Sequence, residues 1–378
     1  MRTLLDFCSS RRDQLRDDIE TLVRLESPST NKAAVDRCGN ALVALLETAG
    51  ASVSRVPQTS RGDHILAEFA GGPARILILG HFDTVWDLGQ IERMPLVEKE
   101  GRLYGPGVFD MKSSIAVALL ATRALAQLQM RAPRVTMLWT TDEEVGSQTS
   151  RALIEAQAAR SDAVLVVEPS LPGGGAKTRR KGCGEFIFTV HGVSAHAGID
   201  PGKGASAIHE LARQVVALES FSDLDRGISV NVGTISGGTR GNVIAEHASA
   251  AIDVRVPTMA DARRIEAAIR ALQPQHSATR LEVQGGFDRP PLERSDGVVR
   301  IYERARQVAE ALGRTLGEGG TGGGSDGNFT AALGVPTLDG LGPEGDGAHA
   351  LHEHVIVDDL PWRAAFIAAL MERLNTVK

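Results

Sequence analysis

Residues 76–84 read Ile-Leu-Ile-Leu-Gly-His-Phe-Asp-Thr, four aliphatic residues followed almost directly by polar ones. An unbroken aliphatic run, rather than an alternating one, is typical of a strand that is buried on both faces of a sheet. Similar runs occur at 65–70, 135–139 and 164–167, with amphipathic helical patterns between them. This order predicts an α/β domain with a largely buried sheet.

A second pattern begins near residue 178 and predicts six elements in the order β-α-β-β-α-β, which is the order of a ferredoxin-like unit. These elements are strand 184–191, helix 203–219, strands 228–235 and 247–256, helix 259–272 and strand 279–284. The first pattern then resumes to the end of the chain. We therefore expect a mixed-sheet α/β catalytic domain made of 1–177 and 286–378, interrupted by an inserted α+β domain at 178–285.

Composition and charge exclude several classes of protein. The net charge is -6, and the densest cationic run, Arg179-Arg180-Lys181, is too short to follow a nucleic acid backbone. No stretch approaches the roughly 20 apolar residues of a membrane span, and residues 1–26 lack the apolar segment of a signal peptide. We expect a cytoplasmic protein that binds neither nucleic acid nor membrane.

The three cysteines, Cys8, Cys38 and Cys183, have no paired spacing. This argues against a disulfide framework and for a reducing compartment. We expect them to be buried small hydrophobic residues.

The strand at 76–79 leads into His81 and Asp83, which project from the same face of an extended chain. A carboxylate beside an imidazole is a common way to orient a metal-ligating histidine. A histidine at a strand end is more often an ordinary polar contact, so this pair alone leaves both interpretations open.

Asp110 follows a Gly-Pro-Gly-Val-Phe segment, just before the helix predicted at 113–128. It could cap that helix by accepting backbone N–H groups. Ser113 and Ser114 could cap the helix instead, which would leave Asp110 available for a cation.

Two further strands end in acids. The strand at 135–139 leads to residues 142–144, Asp-Glu-Glu, and the strand at 164–167 leads to Glu168. Near the C-terminus, residues 347–354 read Gly-Ala-His-Ala-Leu-His-Glu-His. Clustered like charges repel unless a cation or proton is shared, and carboxylates with imidazoles are the ligands of hydrolytic zinc sites. Together these segments predict a metal centre.

Six segments, in this order along the chain, resemble the zinc aminoacylase and carboxypeptidase superfamily. They are Gly80-His-Phe-Asp-Thr84, Gly105-Pro-Gly-Val-Phe-Asp-Met-Lys112, Asp142-Glu-Glu-Val-Gly146, Glu168-Pro169, Ser194-Ala-His-Ala-Gly198 and Gly347-Ala-His349. The superfamily includes acetylornithine deacetylase, succinyl-diaminopimelate desuccinylase and glutamate carboxypeptidase, and the glutamate carboxypeptidase-like members are the most similar. The resemblance implies a zinc-exopeptidase-like catalytic domain, with the inserted domain acting as a lid and forming a homodimer.

The resemblance also implies the ligands of two zinc ions, for which cobalt or manganese could substitute. One ion would be held by His81 and Glu168, the other by Glu144 and His349, with Asp110 bridging both. His349 is preferred over its neighbours because it stands four residues before a glutamate that opens a valine-rich segment, so His352 and His354 are expected at the surface or behind the ligands.

Three further features follow from the resemblance. Glu143 would be the general base, Asp83 would orient His81, and the peptide bond between Asp110 and Met111 would be cis.

Other residues are implied in substrate recognition. Asn242, Arg255 and the glycine loop that includes Gly323 and Gly324 would bind the substrate carboxylate, and His196 would stabilise the oxyanion in its own subunit or across a dimer. Each has an alternative: Arg255 could form a strand-edge ion pair, the glycine loop could be merely flexible, and His196 could be satisfied by its own hairpin.

The function expected is hydrolysis of an amide bond next to a free α-carboxylate in a small peptide, with release of the C-terminal amino acid. An N-acyl or N-carbamoyl amino acid amidohydrolase with the same metal centre is the main alternative. A non-catalytic amino acid or peptide-binding protein is a distant one.

Overall fold

A computed structural model describes residues 1–375 of the chain. They form two compact units. Unit 1 comprises Met1–Thr178, Arg294–Gly320 and the residues from Ser325 onward, and unit 2 comprises Arg179–Glu293 and Thr321–Gly324.

The helices are numbered in chain order. They are α1 (Arg2–Ser10), α2 (Arg12–Val23), α3 (Lys32–Thr48), α4 (Gln90–Arg93), α5 (Ser113–Gln127), α6 (Arg151–Ala158), α7 (Ala207–Glu219), α8 (Met259–Arg270), α9 (Asp296–Ala311), α10 (Gly327–Ala332) and α11 (Asp359–Leu374).

The strands are numbered in the same way. They are β1 (Ser52–Val56), β2 (His64–Phe69), β3 (Arg75–His81), β4 (Val97–Lys99), β5 (Arg102–Tyr104), β6 (Arg134–Thr140), β7 (Ala163–Val166), β8 (Ala176–Arg180), β9 (Gly182–His191), β10 (Ser229–Gly237), β11 (His247–Val256), β12 (Arg280–Arg289), β13 (Glu318–Thr321), β14 (Thr337–Leu338), β15 (Gly345–Asp346) and β16 (His354–Ile356).

Unit 1 is built on a mixed sheet with the strand order β1-β2-β6-β3-β7-β14. Ile76 and Ile78 of β3 belong to the larger core cluster, with α5 and α11, whereas Leu77 and Leu79 belong to a cluster with α6 and α10. The strand is therefore covered on both faces, which explains its continuous aliphatic run. The predicted α/β fold class is confirmed.

Strand β3 runs parallel to both β6 and β7, so the carboxyl ends of all three strands lie at one edge of the sheet. In open sheets with parallel strands, ligands bind outside the carboxyl ends of those strands. This arrangement brings His81, the turn after β6 and the segment after β7 to the same place.

Helix α5 packs against this sheet and is buried along almost its whole length. Neither Ser113 nor Ser114 caps this helix, and the N–H of Ser113 bonds to the carbonyls of Val108 and Met111 in the preceding turn, Val108–Lys112. That turn continues directly into the helix, so its carbonyls take the place of a side-chain cap. Both serine hydroxyls are buried and make no hydrogen bond within residues 1–375.

Unit 2 contains the predicted β-α-β-β-α-β series as β9, α7, β10, β11, α8 and β12, in an antiparallel sheet of order β10-β11-β9-β12. Phe186, Phe188 and Val190 of β9 form its core with residues of α7 and α8. Strand β12 continues past Gly285, where the sequence predicts its end. Gly285 has a φ of 88° and lies so close to β9 that a Cβ would collide with a carbonyl, so this glycine permits the close pairing instead of ending the strand.

Within residues 1–375, no helix is long and apolar enough to cross a lipid bilayer. Cys8 and Cys38 are buried, as expected, whereas Cys183 is only partly buried. All three are free thiols.

A buried ion pair inside unit 1 gives a test of the fold. Arg123 of α5 bonds to Asp18 of α2, and the two side chains are only 7% and 8% exposed. We expect Arg123→Ala to lower the free energy of unfolding by about 3–5 kcal/mol, because it leaves a carboxylate buried without its partner. Denaturant titration measures this loss.

Arg24→Ala is the matched control, because Arg24 pairs with Glu20 at the surface, where the side chains are 59% and 37% exposed. Such pairs contribute at most about 1 kcal/mol. Equal losses in the two variants would contradict the assigned role of the buried pair.

Candidate metal centre

The five residues implied as metal ligands come from five separate segments of unit 1. His81 ends β3, Asp110 lies in the turn before α5, Glu144 lies in the short turn after β6, Glu168 follows β7, and His349 lies between β15 and β16. The structure brings all five together.

Asp110 is at the centre of this group. Its Oδ1 lies 3.3 Å from Nε2 of His81, and its Oδ2 lies 3.5 Å from Nε2 of His349. Nε2 of His81 also lies 3.6 Å from Glu168, and Nε2 of His349 lies 3.1 Å from Glu144. Each carboxylate oxygen of Asp110 thus faces a different imidazole. Each imidazole also faces a second carboxylate, which is Glu168 for His81 and Glu144 for His349.

His81 is oriented by Asp83. Its Nδ1 lies 3.0 Å from the main-chain oxygen of Asp83 and 3.4 Å from Oδ1 of the same residue. Nδ1 therefore donates a hydrogen, and in the neutral ring the Nε2 lone pair points toward Asp110. The Asp83 carboxylate is itself held by the hydroxyl of Ser29 at 2.7 Å. Ser29 is distant in sequence and carried no signal that would have identified it.

Glu353 fixes the turn that carries Asp110. One of its oxygens accepts the backbone N–H groups of Phe109 and Asp110, at 2.9 and 3.0 Å. The other accepts the N–H of Gly107 at 2.9 Å and the indole N–H of Trp86 at 2.8 Å. In the sequence, Glu353 only identified His349 as the expected ligand. In the structure, it also fixes the backbone that carries the carboxylate of Asp110. The peptide bond between Asp110 and Met111 is cis, as the resemblance implies.

His349 has an unusual backbone conformation. Its φ is 62°, in the left-handed region that residues other than glycine rarely adopt, and its side chain is 52% exposed. Such conformations persist where the surrounding structure fixes them, and they cluster at functional sites. His352 is exposed, and His354 is buried against Tyr104 with Nδ1 bonded to the main-chain oxygen of His352.

Glu143 and Glu144 lie in one short turn, Glu143–Val145, directly after β6. A carboxylate oxygen of Glu143 lies within 4.8 Å of a possible ligand atom of His81 and one of Glu168. In the same way, a carboxylate oxygen of Glu144 lies within 4.8 Å of such atoms of His81 and Asp110. The residue implied as general base therefore lies beside the same cluster as the implied ligands.

The charges in this cluster shift one another's pKa values. Hydrogen bonds to Asp110 and Glu144 raise the pKa of His349 to about 10. Burial alone would lower the pKa of His81, but the neighbouring carboxylates of Asp110 and Asp83 raise it well above the usual value. Burial also raises the pKa of Glu144 to about 7. Burial would raise the pKa of Asp110 as well, but the two neighbouring imidazoles lower it. Without bound ions, the two imidazoles are thus protonated to balance the carboxylates.

The residues present fit divalent metal ions. Oδ1 of Asp110 and Oε1 of Glu144 are buried and make no well-formed hydrogen bond within residues 1–375, although buried carboxylate oxygens normally have a partner. Three carboxylates and two imidazoles are a donor set that suits zinc and similar ions.

Two of the residues implied in substrate recognition lie close together in unit 2. His196 and Asn242 are exposed on neighbouring loops, where the N–H of Ala197 donates to the main-chain oxygen of Asn242. Nδ1 of His196 accepts the N–H groups of Gly198 and Ile199, both at 3.1 Å. In the neutral ring Nε2 therefore carries the hydrogen. The bonds within the hairpin use only Nδ1, so the N–H of Nε2 can still donate to another group.

Arg255 is occupied by other partners. Its guanidinium makes bonds of 2.7–3.1 Å to Asp253, two residues earlier on β11, and contacts the thiol of Cys183. A substrate carboxylate would have to compete with Asp253 for these donors. In the glycine loop, the carbonyls of Gly323 and Gly324 accept bonds from Arg180 at 3.2 and 3.0 Å.

Comparison with known proteins gives a consistent picture. The model of peptidase family M20/M25/M40 matches residues 77–373. The chain is similar to carboxypeptidase G2 of Pseudomonas sp. (strain RS-16), with 29% identity over 372 residues that cover 95% of this chain and 89% of the relative. It is 31% identical over 338 residues to succinyl-diaminopimelate desuccinylase of Xanthomonas oryzae pv. oryzae (strain MAFF 311018), covering 82% of this chain and 87% of the relative.

Among solved structures, the fold is similar to that of aminopeptidase PepT from Bacillus cereus ATCC 10987. The TM-score is 0.81 at 22% identity, over 96% of this chain and 98% of that one. The matched family model, the two relatives and the shared fold agree with the cluster of carboxylates and imidazoles in unit 1. The chain belongs to peptidase family M20/M25/M40 and is a metal-dependent hydrolase.

Proposed function

We propose that this protein is a two-zinc hydrolase that cleaves an amide bond next to a free α-carboxylate and releases a C-terminal amino acid. The observation that carries the proposal is the position of Asp110 between two imidazoles, with one carboxylate oxygen facing each. A single-ion site would not need a carboxylate that faces two separate sets of ligands.

In this proposal His81 and Glu168 would hold one ion, Glu144 and His349 would hold the other, and Asp110 would be shared between the two. Two divalent ions bring four positive charges to a cluster of three carboxylates. They would replace the protons that balance these carboxylates in the protein without bound ions. Zinc is proposed because carboxylates and imidazoles are its usual ligands in hydrolases, with cobalt or manganese as substitutes.

When bound, such ions polarise the scissile carbonyl and make a nucleophilic water available at neutral pH. Glu143 takes the proton of the attacking water and passes it to the leaving amine. Its position supports this role, because its carboxylate lies within 4.8 Å of ligand atoms of His81 and Glu168. Asp83 keeps the Nε2 lone pair of His81 directed into the cluster.

The substrate carboxylate is assigned to Arg255, Asn242 and the backbone of Gly323 and Gly324, and the developing oxyanion to Nε2 of His196. For Arg255 this assignment requires the guanidinium to exchange part of its bonding to Asp253. Homodimer formation through the inserted domain and a cytoplasmic location stay predictions.

An N-acyl or N-carbamoyl amino acid amidohydrolase is the second candidate. It is supported by the similarity to a succinyl-diaminopimelate desuccinylase, which is as close in identity as the similarity to carboxypeptidase G2. A panel of peptidyl, N-acyl and N-carbamoyl derivatives of glutamate, aspartate and neutral amino acids separates the two. Higher kcat/KM on the acyl or carbamoyl compounds would reject the carboxypeptidase assignment.

Glu143→Ala tests the mechanism. We expect it to retain both metal ions and to lose at least about a hundredfold in kcat, because it removes the general base but none of the proposed ligands. Metal content by elemental analysis and steady-state kinetics measure the two effects. Glu68→Ala, an exposed glutamate on β2, is the control and should behave like the wild type. Turnover by Glu143→Ala near the wild-type rate would remove Glu143 from the mechanism.

Metal binding should release protons. His349, with a pKa of about 10, and His81, with a raised pKa, are protonated at pH 7, but both must be neutral to bind a metal ion. Glu144, with a pKa of about 7, contributes a further fraction. We therefore expect release of about two to three protons per chain at pH 7, and a metal affinity that rises with pH.

Calorimetry in buffers with different protonation enthalpies measures this release. His349→Ala should lower it by about one proton, and His352→Ala should leave it unchanged. A binding enthalpy that does not depend on the buffer would contradict the proposed ligands.

A further inference from the structure

A buried histidine outside the proposed mechanism lies behind the turn that carries Glu143 and Glu144. His64 is the first residue of β2 and has no exposed surface. Its Nδ1 lies 3.0 Å from the hydroxyl of Thr141, and its Nε2 lies 3.0 Å from the hydroxyl of Thr149. A fully buried imidazole with a partner at both nitrogens occupies one fixed orientation.

The two hydroxyls beside this ring donate their hydrogens elsewhere. The hydroxyl of Thr141 donates to the main-chain oxygen of Gly62 at 2.6 Å, and the hydroxyl of Thr149 donates to Oδ2 of Asp142 at 2.8 Å. Each hydroxyl oxygen therefore faces a ring nitrogen with its lone pairs, so the ring can donate an N–H to a threonine oxygen. Burial lowers the pKa of His64.

Thr149 connects the ring to Asp142, the residue directly before the turn. Its backbone N–H and its hydroxyl both donate to Oδ2 of Asp142, at 2.6 and 2.8 Å. The main-chain oxygen of Asp142 accepts the N–H groups of Val145 at 3.3 Å and Ser147 at 2.8 Å, which closes the turn over Glu143 and Glu144. Asp142 has no exposed surface.

We infer that His64 is a positioning residue, which through Thr149 and Asp142 holds the turn that presents Glu143 and Glu144 to the metal centre. The inference rests on the proposed function for the roles of these two glutamates. The chain of bonds runs from a residue on a sheet strand to the turn, so it transfers the rigidity of the sheet to a loop. Such outer partners typically affect metal affinity or activity by about 10–100-fold.

Removal of one hydroxyl tests the chain of bonds. Thr149→Val keeps the shape of the side chain and the backbone N–H to Asp142 but loses the hydroxyl's bonds to Asp142 and His64. We expect it to weaken binding of at least one divalent ion about 10–100-fold and to lower kcat by a similar factor, with little change in KM. Titration of the full-length protein with Zn²⁺ against a competing chelator gives the affinity without any activity assay.

Three further variants separate positioning from packing. Thr149→Ser restores the hydroxyl and should recover both affinity and kcat. Thr122→Val removes the hydroxyl of a buried threonine, bonded to the Leu119 carbonyl within α5, and should leave both unchanged. His64→Phe keeps a ring but no nitrogen and should reproduce the effect of Thr149→Val. If His64→Phe does not fold, the two Thr149 variants still test the connection through which His64 would act.

The outcomes distinguish this inference from the proposed function. Wild-type Zn²⁺ affinity and kcat in Thr149→Val would overturn the positioning role, as would equal losses in Thr149→Val and Thr122→Val. Glu144→Gln tests the function itself. If Glu144→Gln leaves Zn²⁺ affinity unchanged, the proposed ligand set is wrong, whereas a loss in Glu144→Gln with none in Thr149→Val rejects only the role of His64.

Discussion

The structure of the site depends on one constraint, which is the cost of holding three carboxylates together in a partly buried space. Asp110, Glu144 and Glu168 lie close enough to share two imidazoles, and charges of one sign at such distances are stable only with a compensating positive charge. The raised pKa values of His81 and His349 favour protonated imidazoles, which supply that charge, and the divalent ions of the proposed function would supply it in their place. The same electrostatic conflict therefore explains the raised pKa values of the imidazoles and the proposed affinity for metal.

Carboxylates in such a conflict would separate if their backbones could move, and the chain prevents this with bonds to the main chain. Glu353 takes three backbone N–H groups of the segment around Asp110, and Asp142 closes the turn of Glu143 and Glu144. Glu353 belongs to a different segment from Asp110, the residue that it positions. Asp142 belongs to the same segment as its turn, but it is connected through Thr149 to His64 on β2. Side chains supported in this way are held in one geometry.

Much of this was available from the sequence, for physical reasons that differ between features. The continuous aliphatic run at 76–79 predicted a strand buried on both faces, and the β-α-β-β-α-β order of unit 2 followed from the spacing of its apolar patterns. The ends of helices and strands were less certain, because close packing overrode local signals, as at Gly285 within β12 and at the uncapped start of α5. Three of the proposed ligands, His81, Glu144 and Glu168, lie at or after the ends of parallel strands that end at one edge of the sheet, whereas the full ligand set was implied by the resemblance to the zinc aminoacylase and carboxypeptidase superfamily.

The sequence by itself determined which residue types stand at the strand ends, and hence the class of chemistry, since an aspartate or histidine has the same donor atoms in any fold. Only the tertiary structure decided how those atoms face one another: that the two oxygens of Asp110 point to different imidazoles, that the donors of Arg255 are already engaged with Asp253, and that Ser29, Glu353 and His64 support the site. Apart from the pair of Arg255 and Asp253, these facts are contacts between residues far apart in the chain, and the sequence pattern around a residue indicates its burial but not its partner.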